Sequence, residues 1–194
     1  MKVQGGRPVR KNNWKPDRND YWARSQDEIR LDKLDPGRGY RHLVTINQLR
    51  AVIHMLPDWD EVAIGLDAIA LAPGRSPVEG LYFTGFGVID ICAWPRRLWD
   101  HAAVASHVAA HRELLDRLGV DYRRNHHGYE IRWTEAQARA YQLLHILPHE
   151  LGHHHDLITS SRKRSIGRGE SYAEEYANRA LDELWPLYVN KFDV

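Results

Sequence analysis

The sequence feature that most constrains the fold is a helix-forming run at residues 134–156, which contains the motif His-Glu-Leu-Gly-His. The two histidines, His149 and His153, are four residues apart, so on a helix they lie one turn along the same face. Their imidazoles can therefore point at one metal ion. Glu150 lies about 100° around the helix, where its carboxylate can reach a water on the metal without binding the metal itself.

The residues around this motif predict where its helix starts, where it is irregular and which face is buried. Thr134 and Gln137 form a capping box that starts the helix. Pro148 removes a backbone hydrogen bond, which predicts a kink or a fresh turn near Leu144. The face opposite the two histidines is apolar: Ala140, Leu144, Leu147 and Leu151. We therefore expect one side of the helix to pack in the core while the histidines face a cleft. An exposed, histidine-rich helix end is the alternative, and it leaves the glutamate unexplained.

A catalytic zinc site needs a third protein ligand and an open position for water. No histidine follows the motif helix closely, and the donors that remain downstream are carboxylates: Glu170, Glu174, Glu175, Asp182, Glu183 and Asp193. Glu174 lies at the edge of the apolar face of the last predicted helix, near residues 171–185, and is best placed to face the interior. Glu170, one turn earlier on the same stripe, is the reserve candidate. The alternative for Glu174 is an ordinary surface contact.

Two further residues can contact these ligands and orient them without binding the metal. Asn178 lies four residues after Glu174, on the same stripe of the last helix. His145 lies one turn before His149, although a histidine without a role at the site is the simpler explanation for it.

The motif and the last helix together resemble the gluzincin metallopeptidases, and most closely the small ImmA/IrrE-type group. The resemblance rests on HELGH followed, about twenty residues later, by an E-x-x-A-N pattern at residues 174–178, EEYAN, and it covers about residues 140–182. It implies a zinc ion with three protein ligands: His149, His153 and Glu174. It also implies that Glu150 is the general base.

The function that this implies is a zinc-dependent peptidase acting on a protein or peptide substrate. Zinc would lower the pKa of a bound water to about 7, and Glu150 would take the proton as the water attacks a peptide carbonyl. Candidate donors to the oxyanion are Tyr172, Tyr176 and the arginines of the basic loop 160–168. The alternative is a non-enzymatic, nucleic-acid-associated regulator with a structural metal site, closed by a fourth ligand such as His145 or Glu170.

The rest of the chain predicts an α+β fold of the zincin type, a small mixed or antiparallel sheet packed on helices. A capping box at Thr45 and Gln48 starts a helix that runs to about Met55. Apolar runs at residues 63–72 and 81–94 predict strands of one sheet. Three further elements follow: a helix at residues 98–118, a hairpin at residues 121–133 and a last helix that stops at Pro186.

Residues 1–40 predict a basic, partly ordered N-terminal arm, followed by one domain at residues 41–194. Residues 1–41 carry eleven Lys/Arg against six Asp/Glu, together with Trp14, Tyr21 and Trp22. Weak contact with nucleic acid is one interpretation of this arm. A solvated tail with anchoring aromatic residues is the more economical one.

Composition narrows the class of protein. Lys plus Arg (27) nearly balance Asp plus Glu (26), and a net charge of +1 argues against a protein that coats nucleic acid. The single cysteine, Cys92, excludes an internal disulfide and a cysteine-based zinc site, and it favours a cytoplasmic location. No apolar run approaches the roughly 18 residues that span a bilayer, so no membrane contact is expected.

Overall fold

The computed structural model describes residues 2–4, 7–9, 20–23, 25–160 and 168–192, and within them the chain is a mixed α+β protein with small sheets. The strands are β1 (Lys2–Gln4), β2 (Arg7–Val9), β3 (Arg30–Lys33), β4 (Tyr40–Arg41), β5 (Ala68–Ala72), β6 (Gly80–Phe83), β7 (Val88–Cys92), β8 (Trp94–Pro95), β9 (Trp99–Ala103), β10 (Asp121–Asn125) and β11 (Gly128–Arg132). The helices are α1 (Ile46–Ile53), α2 (Trp59–Val62), α3 (Ala105–Ala110), α4 (Arg112–Arg117), α5 (Glu135–Tyr141), α6 (Leu147–Thr159) and α7 (Gly169–Phe192).

The largest sheet has four strands in the order β3-β5-β7-β6. Strands β3, β5 and β7 are parallel to one another, and β6 joins antiparallel to β7 at the edge. Every residue of β5 and β7 is buried, as expected for interior parallel strands covered on both faces. The predicted strand at residues 81–94 is two strands, β6 and β7, because the turn at residues 84–87 reverses the chain and ends in Gly87 with φ of 60°.

The predicted helix at residues 98–118 is wrong in its first part. Residues 99–103 form β9, which pairs antiparallel with β11 in a three-stranded sheet with β10. Pairing with a distant strand overrides the local helical pattern there. The helical part that remains is broken at His111 into α3 and α4, and it buries Val108 and Leu115. The predicted hairpin is confirmed as β10 and β11.

The helices follow the predicted starts more closely than the predicted ends. Both capping boxes are present, at Thr45 of α1 and at Thr134 of α5. Helix α7 does not stop at Pro186 but continues to Phe192. The proline leaves the carbonyl group of Asp182 without its helical donor, and both residues are on the exposed side, where water can take the place of that donor.

The predicted irregularity before Pro148 is present as a π-helical segment, Gln142–Ile146, that joins α5 to α6. The backbone N–H of Leu147 donates to the carbonyl of Gln142, five residues earlier. Because Pro148 has no N–H to donate, the regular ladder cannot pass through this point.

Part of the segment that composition assigns to the N-terminal arm contributes to the folded body. Strand β3 pairs with β5 through all four of its residues. Tyr21 is buried, and the Trp22 ring packs edge-on against Phe83, with centroids 4.9 Å apart. Trp14 lies outside the described residues. Each helix in the described ranges is too short or too polar to span a bilayer.

Candidate metal centre

Helix α6 has one face in the core and one face in a cleft, as its sequence predicts. Leu147 and Leu151 of α6 are buried in the main hydrophobic core, together with Leu144 of the preceding π-helical segment. The opposite face lines an open cleft of about 560 Å³ between α6, α7 and the edge strand β6. His149 and His153 both face this cleft, with ring centroids 4.8 Å apart.

The carboxylate of Glu170, on α7, lies next to both motif histidines. Glu170 Oε2 lies 3.3 Å from His149 Nε2, and Glu170 Oε1 lies 3.5 Å from His153 Nε2. The ligand atoms of a tetrahedral zinc ion, each about 2.0–2.1 Å from the metal, are about 3.4 Å apart. The three side chains, one ligand atom from each, form a group within 4.8 Å. This spacing fits a zinc ion held by two imidazoles and one carboxylate.

Glu174, the expected third ligand, lies on the other side of His149. Its Oε2 is 3.3 Å from His149 Nδ1, the nitrogen that faces away from Glu170. The Glu174 side chain is 34% exposed, against 83% for Glu170. A carboxylate at the second nitrogen of a metal-bound histidine fixes the ring orientation and raises its basicity. The geometry therefore favours Glu174 as a support for His149 and brings the reserve candidate, Glu170, to the ligand position.

The start of α7 is tied to the end of α6 by Asp156. Its buried carboxylate accepts hydrogen bonds from the backbone N–H groups of Arg168 and Gly169, at 2.8 and 3.0 Å. It also accepts one from Arg168 Nε at 2.7 Å. Burial alone would raise the pKa of Asp156, but the bonds from Arg168 and Gly169 outweigh it and lower the pKa. This anchor holds the first turn of α7, which carries Glu170, beside the histidines.

Glu150 is buried under the edge strand, with only 7% of its surface exposed. A Cβ built at Gly80 would lie 2.6 Å from Glu150 Oε1, so only glycine lets β6 approach this carboxylate so closely. Burial raises the pKa of Glu150 to about 7, against a smaller lowering by His149 and by a bond from the backbone of Tyr82. A carboxylate with a pKa near 7 is suited to accept and return a proton at neutral pH.

The two expected supporting residues lie next to Glu174. His145 is buried in the π-helical segment, and its Nε2 is 3.9 Å from Glu174 Oε2. Burial lowers the pKa of His145, against a smaller raising by Glu174, and so favours the neutral imidazole. Asn178 is exposed and lines a small pocket together with His145 and Glu174.

The two tyrosines expected as oxyanion donors face other partners. The Tyr172 hydroxyl is 2.6 Å from His155 Nδ1, and the Tyr176 hydroxyl donates to Asp58 at 2.9 Å. Arg168 is held by Asp156, and the other arginines of the basic loop lie outside the described residues.

Two histidines of the cleft, His107 and His111, were not among the predicted site residues. They extend a row of imidazoles from the motif: ring centroids are 4.5 Å apart between His107 and His111 and 4.7 Å apart between His111 and His145. A signal was present, because His107 and His111 have the same four-residue spacing as the motif histidines.

Comparisons with protein-family models, with curated proteins and with solved structures find no match to this chain. The functional conclusion therefore depends on the site itself.

Proposed function

We propose that this protein is a zinc-dependent peptidase whose metal is held by His149, His153 and Glu170. The observation that carries the proposal is the meeting of Glu170 with the Nε2 atoms of both motif histidines, at 3.3 and 3.5 Å. A group of three ligands leaves the fourth tetrahedral position for water, as in catalytic rather than structural zinc sites. In the part of the chain that the structure describes, this group has three members.

Each residue of the site has a distinct task in peptide hydrolysis. When bound, zinc activates a water molecule and polarises the carbonyl group of the scissile bond. Glu150 accepts the proton of the attacking water and returns it to the leaving amine. Glu174, with Oε2 3.3 Å from Nδ1 of His149, would orient that ring once the metal is bound.

The edge strand β6 supports a peptide as the substrate. It pairs with β7 on one side, and on its other side no strand of the described ranges joins it. An extended chain can add to such an edge through backbone hydrogen bonds, which bind a peptide with little dependence on its side chains. Because Gly80 of β6 lies against Glu150, a peptide on this edge passes beside the general base.

The test is the pair of variants Glu150→Gln and Glu175→Gln, compared with the unchanged protein in a peptide-library cleavage assay. Glu150→Gln keeps the shape of the side chain but removes the proton acceptor, so we expect about 10²–10⁴-fold slower cleavage with unchanged zinc content. Glu175 is exposed on α7, and its amide variant controls for the loss of one negative charge. Equal cleavage by both variants, or no cleavage by the unchanged zinc-loaded protein, would contradict the proposal.

A further inference from the structure

We infer that His111, His145 and Glu174 form a second zinc site, separate from the motif histidines. One ligand atom from each of the three lies within 4.8 Å of the others. They come from the junction of α3 and α4, from the π-helical segment and from α7, so the site would join three elements that are distant in sequence. Two imidazoles and one carboxylate are a ligand set that zinc uses in proteins.

His111 is held in the orientation and tautomer that a metal ligand requires. Its Nδ1 is 2.9 Å from the backbone carbonyl of His107, and a carbonyl only accepts, so Nδ1 carries the proton. The lone pair is therefore on Nε2, which is free to bind a cation. A bond from the other ring nitrogen to a backbone carbonyl is the usual support of a zinc-bound histidine.

The environment of the His145 side chain favours a bound cation at this position. The residue is 2% exposed, and its Nδ1 is buried without a hydrogen-bond partner in the described structure. Its Nε2 is 3.9 Å from Glu174 Oε2, which is too far for a hydrogen bond. A buried imidazole is rarely left without hydrogen bonds, since the loss of hydration is not recovered. A cation between His145, His111 and Glu174 would bind His145 through Nε2, the ring nitrogen that faces Glu174.

The surroundings allow an ion to enter and to keep a water. The three residues line a pocket of about 190 Å³ that is open to solvent, and Asn178 borders it. The carboxylate of Glu174 provides the negative charge that two neutral imidazoles lack. Because the same carboxylate contacts His149 Nδ1 at 3.3 Å, it lies between the two proposed sites.

The experiment is a zinc count by equilibrium dialysis and elemental analysis, on metal-free full-length protein loaded with Zn²⁺. We expect two equivalents for the unchanged protein, one for His111→Ala and one for His153→Ala. The matched control is His107→Ala, which removes a neighbouring imidazole but keeps the backbone carbonyl that holds His111, and it should retain two. His111→Gln, which fills more of the space, repeats the test if the alanine variant unfolds in a thermal scan.

The outcomes separate this inference from the proposed function. A single equivalent that persists in His111→Ala and disappears in His153→Ala would overturn the second site and leave the peptidase centre intact. A single equivalent that disappears in His111→Ala and persists in His153→Ala would support the second site and contradict the peptidase centre. Loss of one equivalent in His107→Ala as well would also overturn the assignment of ligands.

Discussion

Gly152 of α6 lies against Ala173 of α7 so closely that a Cβ at residue 152 would be 2.8 Å from the Ala173 Cα atom. The same Cβ would be 3.0 Å from the Tyr176 Cβ atom. Glycine at this position of the motif lets the two helices approach at backbone distance. Ala173 stands between Glu170 and Glu174 on α7, so this contact places both carboxylates at the level of the motif histidines.

We predict that Gly152→Ala separates α6 from α7 and weakens zinc binding at the proposed metal centre. The added methyl group meets backbone atoms, so we expect a loss of about 1–3 kcal/mol in the free energy of unfolding and a lower zinc affinity. Chemical denaturation and zinc titration measure the two effects. The control is Gly85→Ala, where a Cβ has no neighbour within 4 Å. Unchanged stability and affinity in Gly152→Ala would contradict the importance of this contact.

The proposed roles of the two glutamates are separable in a His111→Ala background, where we expect zinc to bind at the motif site alone. There we expect Glu170→Gln to lose zinc, because it removes one of three ligands. We expect Glu174→Gln to weaken binding about 10–100-fold, since it removes the support of His149. Competition with a chelator of known affinity measures both. The reverse order would return Glu174 to the ligand position that the resemblance to gluzincins implies.

The anchor at Asp156 predicts a pH-dependent contribution to stability. Asp156→Asn removes the negative charge that accepts three hydrogen bonds. We expect it to lower the free energy of unfolding by about 2 kcal/mol at neutral pH. The folded state lowers the pKa of Asp156. Its contribution is therefore complete above the unfolded value of about 4 and is lost as the pH falls through the lower folded value.

Urea unfolding of Asp156→Asn and of the exposed control Asp60→Asn, at pH 7 and in steps below pH 4, measures this contribution. The difference between the unchanged protein and Asp156→Asn should shrink as the pH falls. A difference that stays constant or grows toward low pH would show that the carboxylate charge is not what stabilises the start of α7.

Truncation from the N-terminus should distinguish the arm from the body. Deletion of residues 1–19 is expected to leave zinc binding and the unfolding temperature nearly unchanged. Deletion of residues 1–33 removes Tyr21 and β3, and we expect it to prevent stable folding. Tyr21→Ala in the full chain should lower the free energy of unfolding by about 3 kcal/mol, because it leaves a cavity where a fully buried side chain was. A fall in unfolding temperature with the shorter deletion would place residues before 20 in the core.

The sequence alone determined the local features of this protein. The spacing of His149 and His153, the apolar stripe opposite them and the two capping boxes are patterns within one or two helical turns, and the structure has each of them. The irregular turn before Pro148 follows in the same way, because a missing backbone N–H acts on its own helix.

Only the tertiary structure decided which distant residues meet. Glu170 and Glu174 are one turn apart on the same stripe of α7, and the helical pattern ranked Glu174 first. Which of them meets the Nε2 atoms of the motif histidines depends instead on where Ala173 packs on Gly152. Strand β9 has a helical pattern and became a strand because β11 lies beside it. His111 and His145 are 34 positions apart in sequence. Their meeting with Glu174 depends on long-range packing, which local sequence patterns do not encode.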